Sequence, residues 1–112
     1  ITIFNSGNMK RDMTHIDDII EGILACIHIS NFSSKHEIFN LGNSNPVGTM
    51  ELLELIELHY GKKAHITFEN SSNEVKITFA DISKSYDVLN FKPKIKIHQG
   101  MREFLNWYDK TL

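Results

Sequence analysis

The chain has 112 residues, 41% apolar and 23% charged, the balance of one globular domain able to bury roughly 65% of its unfolded surface. A net charge of −2 gives no electrostatic footing for nucleic acid or an anionic membrane surface, so neither is expected as a partner. The single cysteine, Cys26, excludes an internal disulfide and fits a reducing compartment, so a cytoplasmic location is expected; no apolar run reaches the length of a membrane span.

The chain begins at Ile1 rather than Met and shows no signal-peptide pattern, so a piece of a longer polypeptide is expected. Ile1 to Phe4 reads as a strand, followed by a Ser6-Gly7-Asn8 turn in which Gly7 gives the backbone its freedom. Thr14, with Asp17 three residues on, has the form of a capping box, and Asp17 and Asp18 then sit where the helix dipole favours negative charge. Ile16, Ile19, Ile20, Ile23, Leu24 and Ile27 recur at helical spacing and predict a helix over about Ile16–Ile29 with an apolar stripe wider than about 100°.

Asn31 to His36 is a polar connection. Glu37 to Leu41 reads as a second strand, its adjacent Ile38 and Phe39 implying burial on both faces. Gly42 to Pro46 is a cluster of turn residues. Thr49 is expected to cap a second helix carrying Met50, Leu52, Leu53, Ile56 and Tyr60 toward a core, with Gly61 ending it in a left-handed conformation and Lys62 and Lys63 complementing its dipole. Ala64 to Phe68 alternates as a third strand, Glu69 to Asn73 is a polar loop, and Val75 to Phe79 is extended. Asp81 is expected to cap a short helix running through Leu89, with Asn90 at its C-terminus and Pro93 preventing continuation. The last helix, about Ile97 to Tyr108, is expected to bury Ile97, Met101, Phe104, Leu105 and Tyr108. No internal repeat or low-complexity segment interrupts this order. The class is α/β, with four helices and three or four short strands.

Arg11-Asp12 stands just before the first helix. A guanidinium there can take a phosphate bidentately, with Asp12 holding it in place; the same pair also reads as a structural ion pair. The six histidines, at 15, 28, 36, 59, 65 and 98, include no pair four apart on a helix, and no metal site is expected. Cys26 reads as a packed thiol. The glycines, at 7, 22, 42, 48, 61 and 100, nowhere stand two or three apart, so no Gly-rich dinucleotide turn can be written and no cofactor-binding residue is expected.

The run GNMKRDMTHIDDIIEGI, followed in order by IFNLGNSNPV, GKKA, FADISKSYDVLNFKPK and GMREFLNWY, resembles the C-terminal part of extended short-chain dehydrogenase/reductases that act on nucleotide-diphosphate sugars, above all the UDP-glucuronate 4-epimerases. The resemblance covers nearly the whole chain. It implies that residues 1–112 are the substrate-binding portion of a Rossmann-type enzyme, without its N-terminal NAD-binding domain. The parent reaction it implies is oxidation at sugar C4 by NAD and reduction from the other face. The family's catalytic Tyr is followed by Lys four residues later, whereas Tyr60, Tyr86 and Tyr108 are followed by Ala64, Asn90 and Leu112. The resemblance therefore implies no catalytic residue and no bound NAD in this chain alone.

What it implies on the substrate side is Arg11 against the nucleotide diphosphate, with Asp12 beside it. The family's Gln- or Arg-Pro-Gly-Asp-Val stretch is matched by Ser71-Ser72-Asn73-Glu74-Val75, which keeps an acid at Glu74 but loses the arginine, Pro and Gly. Met13 and His15 stand where relatives prefer aromatic residues; His15 reads either as a packing histidine or as a substrate contact. Asp81, Ser83 and Lys84 match a family-like A-D-x-S-K run and also read as a helix cap and a solvated lysine. Asn40 and Asn43 flank Gly42 beyond a strand end and are candidates to line the sugar pocket. The expected substrate-binding set is Arg11, Asp12, Asn43 and Glu74, with a UDP-sugar held weakly in isolation. A homodimer is expected through Ile38, Phe39, Leu41 and the first-helix isoleucines. A different class of function, a non-catalytic interaction or oligomerisation module that kept the fold, also fits the altered Ser71–Glu74 stretch.

Overall fold

The computed structural model describes residues 1–29, 36–71 and 73–111. Strand β1 (Thr2–Phe4) runs through a tight turn at Asn5–Gly7 into β2 (Lys10–Arg11), helix α1 (Ile16–His28), β3 (Val47–Gly48) and helix α2 (Thr49–Tyr60). Strand β4 (Thr67–Glu69) and helices α3 (Ser83–Leu89) and α4 (Ile97–Thr111) complete the order. β1 pairs in parallel with β4, Ile3 facing Phe68, and β2 pairs antiparallel with β3, Arg11 facing Val47. Lys10 also bridges to Ile77, whose segment is the extended run expected over Val75–Phe79. The α/β class and the four helices are as the sequence predicts.

The apolar core is small. Ile3, Val47, Leu53, Phe91 and Leu105 are its buried side chains among the described residues, and the polar Asp18 and Ser85 are buried beside them. The radius of gyration is 17.1 Å and the extents are 53 × 36 × 20 Å. A compact domain of this length has a radius of about 13 Å. The accessible surface, 8184 Å², exceeds the ~6,300 Å² of a compact protein of this mass by about 1,900 Å².

Helix α1 accounts for part of that excess, because it packs with the side opposite its apolar stripe. Its buried residues are Asp18 and Gly22; a Cβ on Gly22 would stand 2.7 Å from a Leu41 methyl, with Phe91 close behind. Ile16, Ile20, Ile23, Leu24 and Ile27 face outward, Ile27 with 71% of its surface open. Periodicity identifies a stripe without saying what the stripe meets.

Several local expectations need correction for similar reasons. Residue 15, not Thr14, caps α1: His15 Nδ1 accepts the Asp17 N–H, while Thr14 Oγ1 accepts the N–H of Asn43, 29 residues away. Thr49 is the first residue of α2, and its N–H and hydroxyl both donate to the Met9 carbonyl. The strand expected at Glu37–Leu41 does not form; Ile38 is 69% exposed, and this segment is held by Asn40, whose carbonyl accepts the Ser85 hydroxyl and whose amide donates to Asp81 O. The third strand starts later than expected because Glu57 takes the Ala64 N–H at 2.8 Å. Phe104 and Tyr108, expected in the core, are exposed. The polar connection at 31–36 lies, except for His36, outside the described residues.

The helix stops agree with expectation. Gly61 ends α2 at φ 61° and Asn90 ends α3 at φ 53°, both left-handed. Lys63 donates to Glu57 and holds that carboxyl below its ordinary value.

Candidate functional site

Arg11 ends β2, and the sheet contacts of β2 bring it beside residues 74 and 75. Its Nη1 donates to the carbonyls of Lys10 (2.9 Å) and Val75 (2.7 Å), and its Nη2 lies 3.0 Å from the Glu74 carboxylate. The two side chains remain 31% and 37% exposed, so this is a solvent-accessible pair. The other end of the 71–75 segment is fixed by Asn5. Its side-chain amide donates to Ser71 O at 3.0 Å and accepts the Ser71 N–H at 2.9 Å, two bonds that copy a strand contact. Asn5 adopts φ 50°, a left-handed conformation that Asn tolerates better than most residues. Of the matched stretch, Ser72 lies outside the described residues.

Asp12 does not pair with Arg11, as the sequence suggested it would. Its carboxylate accepts the backbone N–H groups of Ser44 (3.0 Å), Asn45 (3.4 Å) and Ala80 (3.0 Å). Carboxylates that collect several backbone donors organise loops, and this one ties the 42–45 turn to residue 80. Gly42 is required there, since a Cβ would stand 2.6 Å from the Ala80 Cβ and 2.8 Å from the Asp12 carboxylate. Asn43 is carried on that turn, its N–H held by Thr14 at 3.0 Å. The structure thus brings Arg11 and Glu74 into contact, with Asn43 on the 42–45 turn that Asp12 ties down.

Asp18 repeats the Asp12 arrangement in a more buried setting. At 3% exposure it accepts the N–H groups of Lys94 (3.0 Å) and Ile95 (3.1 Å) and sets the entry into α4. Asp81 accepts from the Ser83 hydroxyl and N–H, which hold its carboxyl below the ordinary value, and so supports the start of α3 from just outside it. Lys84 is engaged with Glu37 at 2.7 Å and lies over the Phe39 ring.

His15 occupies the floor of an apolar groove of about 700 Å³ between the start of α1 and α4, lined also by Met13, Ile16, Ile97, Phe104 and Trp107. With Nδ1 accepting from Asp17 N–H, the ring proton lies on Nε2, which faces Glu103 at 3.3 Å. Gly100 lets α4 pass this close. His15, Asp17 and Glu103 hold ligand atoms within 4.8 Å of one another, but both acids are exposed and the imidazole serves as helix cap and link to α4.

The sequence missed Asn5, which fixes the segment leading to Glu74 and Val75. Only the turn at Gly7 hinted at it, since its partner Ser71 lies 66 residues away.

No family model matches the chain. It is 46% identical over 109 residues to an uncharacterized protein of Methanocaldococcus jannaschii, covering 96% of this chain and 32% of that protein. It is 39% identical over 114 residues to the UDP-glucuronate 4-epimerase of Thermodesulfobacterium geofontis, covering 100% and 34%. Among solved structures, the UDP-glucuronic acid 4-epimerase of Bacillus cereus, in complex with UDP-glucuronic acid and NAD, matches 99% of this chain and 35% of its own, with a TM-score of 0.88 at 29% identity. The chain spans about a third of the length of the curated relatives it matches. Over that span it is similar in sequence and fold to the C-terminal portion of UDP-glucuronate 4-epimerases, extended short-chain dehydrogenase/reductases of Rossmann type.

Proposed function

We propose that this chain, the counterpart of the C-terminal portion of an extended short-chain dehydrogenase/reductase, is the UDP-sugar-binding portion of an NAD-dependent UDP-glucuronate 4-epimerase. The observation that carries the reading is the setting of Arg11: an accessible guanidinium against Glu74 and Val75, in a fold that matches an epimerase holding UDP-glucuronic acid. Arg11 contacts the diphosphate, Glu74 and Asn43 line the ligand's path, and Asp12 positions the 42–45 turn. NAD and the groups that move hydride and proton belong to the Rossmann domain of the parent enzyme. This portion alone is catalytically silent.

The outward stripe of α1, with Ile38, is the face that the Rossmann domain covers. The excess surface of about 1,900 Å² is larger than the ~800 Å² that one partner buries in a standard interface. In isolation a second copy takes that face, giving a homodimer. The same exposed face favours the other reading, an oligomerisation module that kept the fold, and ligand binding separates the two.

The test is titration of UDP followed by NMR shifts. We expect a dissociation constant of roughly millimolar, about 4 kcal/mol, weakening as salt rises. Arg11→Ala is expected to lose at least about fivefold in affinity, in line with loss of one charge-assisted contact. Equal binding by the two proteins would remove Arg11 from the site and leave the module reading in its place.

A further inference from the structure

Arg11 meets its partners in a way that occupies both Nη nitrogens of its guanidinium. A guanidinium grips a phosphate best through two parallel N–H groups, one from each nitrogen of an edge. Both hydrogens of Nη1 are committed to the carbonyls of Lys10 and Val75, and Nη2 donates to Glu74 at 3.0 Å and, more weakly, to Met9 Sδ at 3.9 Å. The carbonyl bonds are short and belong to backbone that the Lys10–Ile77 bridge fixes in place. The Glu74 carboxylate is the solvent-facing member, on a side chain 37% exposed.

We propose that Glu74 is a latch on Arg11, which an incoming phosphate group displaces, and that it sets the affinity of Arg11 for nucleoside diphosphates. The proposal rests on the reading of Arg11 as a diphosphate contact. Before displacement, the carboxylate neutralises the Arg11 guanidinium and repels an anionic ligand. After it, Nη2 and the solvent side of the guanidinium are released to the phosphate oxygens. The exchange does not unfold the segment, because Asn5 still holds Ser71 and Arg11 still holds Val75 O. Net stabilisation by an exposed ion pair is small, so a doubly charged diphosphate displaces it readily. Asp12, one residue on, shows what a fixed carboxylate looks like: three backbone N–H groups hold it, and it cannot leave without opening the 42–45 turn.

The experiment is a comparison of UDP binding to the full chain by NMR titration in the wild type, Glu74→Gln, Glu69→Gln, Arg11→Ala and the Arg11→Ala/Glu74→Gln double variant. Glu69 is an exposed acid at the end of β4, so its variant carries the same charge change without touching Arg11. Glu74→Gln is expected to bind UDP about three- to tenfold tighter than wild type, the worth of one exposed charge pair. Glu69→Gln should stay within about twofold, a long-range screened effect. The gain should vanish in the double variant. Arg11-dependent binding that Glu74→Gln leaves unchanged or weakens would overturn the latch while the diphosphate reading stands. Binding indifferent to Arg11, or no binding by either wild type or Glu74→Gln, would overturn both.

Discussion

Two regions of this molecule are built on opposite rules. Around Asp12 and Asp18, carboxylates reach backbone N–H groups 32 to 77 positions away along the chain and staple loops together with almost no apolar material between them. Along the far side of α1, Ile16, Ile20, Ile23, Leu24 and Ile27 form the most regular apolar surface in the sequence and face outward. In an autonomous domain the second region would be the core and the first a set of surface details. Here the polar staples tie distant loops together, and the apolar face is open to solvent. Hydrophobic burial is non-directional, so it does not choose among loop geometries; charge-assisted bonds to named N–H groups do.

The sharpest way to break this comparison is to remove a staple. Asp18→Ala leaves two inward N–H groups, those of Lys94 and Ile95, without their acceptor and empties a buried position. Each unsatisfied buried donor costs about 1–3 kcal/mol, so a loss of roughly 2–5 kcal/mol is expected, a large share of the stability of a chain this size. Urea unfolding followed by circular dichroism reads it directly. A loss below about 0.5 kcal/mol, the range of an ordinary surface change, would show that the staples follow the fold and do not hold it.

The same contrast explains what was legible in the sequence. Helix ends marked by Gly61 and Asn90 were readable because a left-handed stop is a property of one residue and its immediate neighbours. The family-matched Arg11 and Glu74 were readable as candidates, and the structure places them in contact. The caps were misread because Thr14 and Thr49 spend their hydroxyls on Asn43 and Met9, choices made by tertiary contacts. Asp12 was misread for the same reason, its nearest charged neighbour in sequence losing to three distant N–H groups. The stripe on α1 was found and its direction was not, since a helical period is blind to which body lies opposite it.

The outward face gives the next expected effect, on assembly instead of folding. Ile27→Glu changes a residue that is already open to water, so the fold should move by no more than about 0.5 kcal/mol. Association should respond strongly, because a charge placed in the centre of an apolar contact must be desolvated without a partner. Sedimentation at high micromolar concentration is expected to show self-association of the wild type and a monomer for the variant. A well-folded wild-type monomer at that concentration would mean that the face is tolerated in water, against the expectation that contiguous apolar patches of this kind are covered.

The smallest expected effect lies where α2 meets α4, a joint belonging to neither region. Asp109 accepts from His59 at 3.0 Å and from the Tyr60 hydroxyl at 2.7 Å, and these bonds, His59 first, hold its carboxyl below the ordinary 3.8. The same carboxylate raises the Tyr60 phenol above 10.0. A carboxyl with a depressed folded value contributes stability that is present above its unfolded value and is lost as the pH falls through the folded one. The Asp109 contribution is therefore complete at neutral pH and disappears below pH 3.8. A phenol with a raised folded value contributes in the opposite sense, fully below pH 10.0 and lost as the pH rises through the folded value. The joint should accordingly loosen at both extremes and stay flat between them. The groups are exposed and screened, so the change should be visible as fraying of the α4 terminus in helix content or amide exchange, with the fold retained. Asp109→Asn should abolish the acid step. An acid step of unchanged size in that variant would place it elsewhere, with Asp81 at the start of α3 and Glu57 on α2, the other carboxyls held low by their hydrogen bonds, as the next groups to replace.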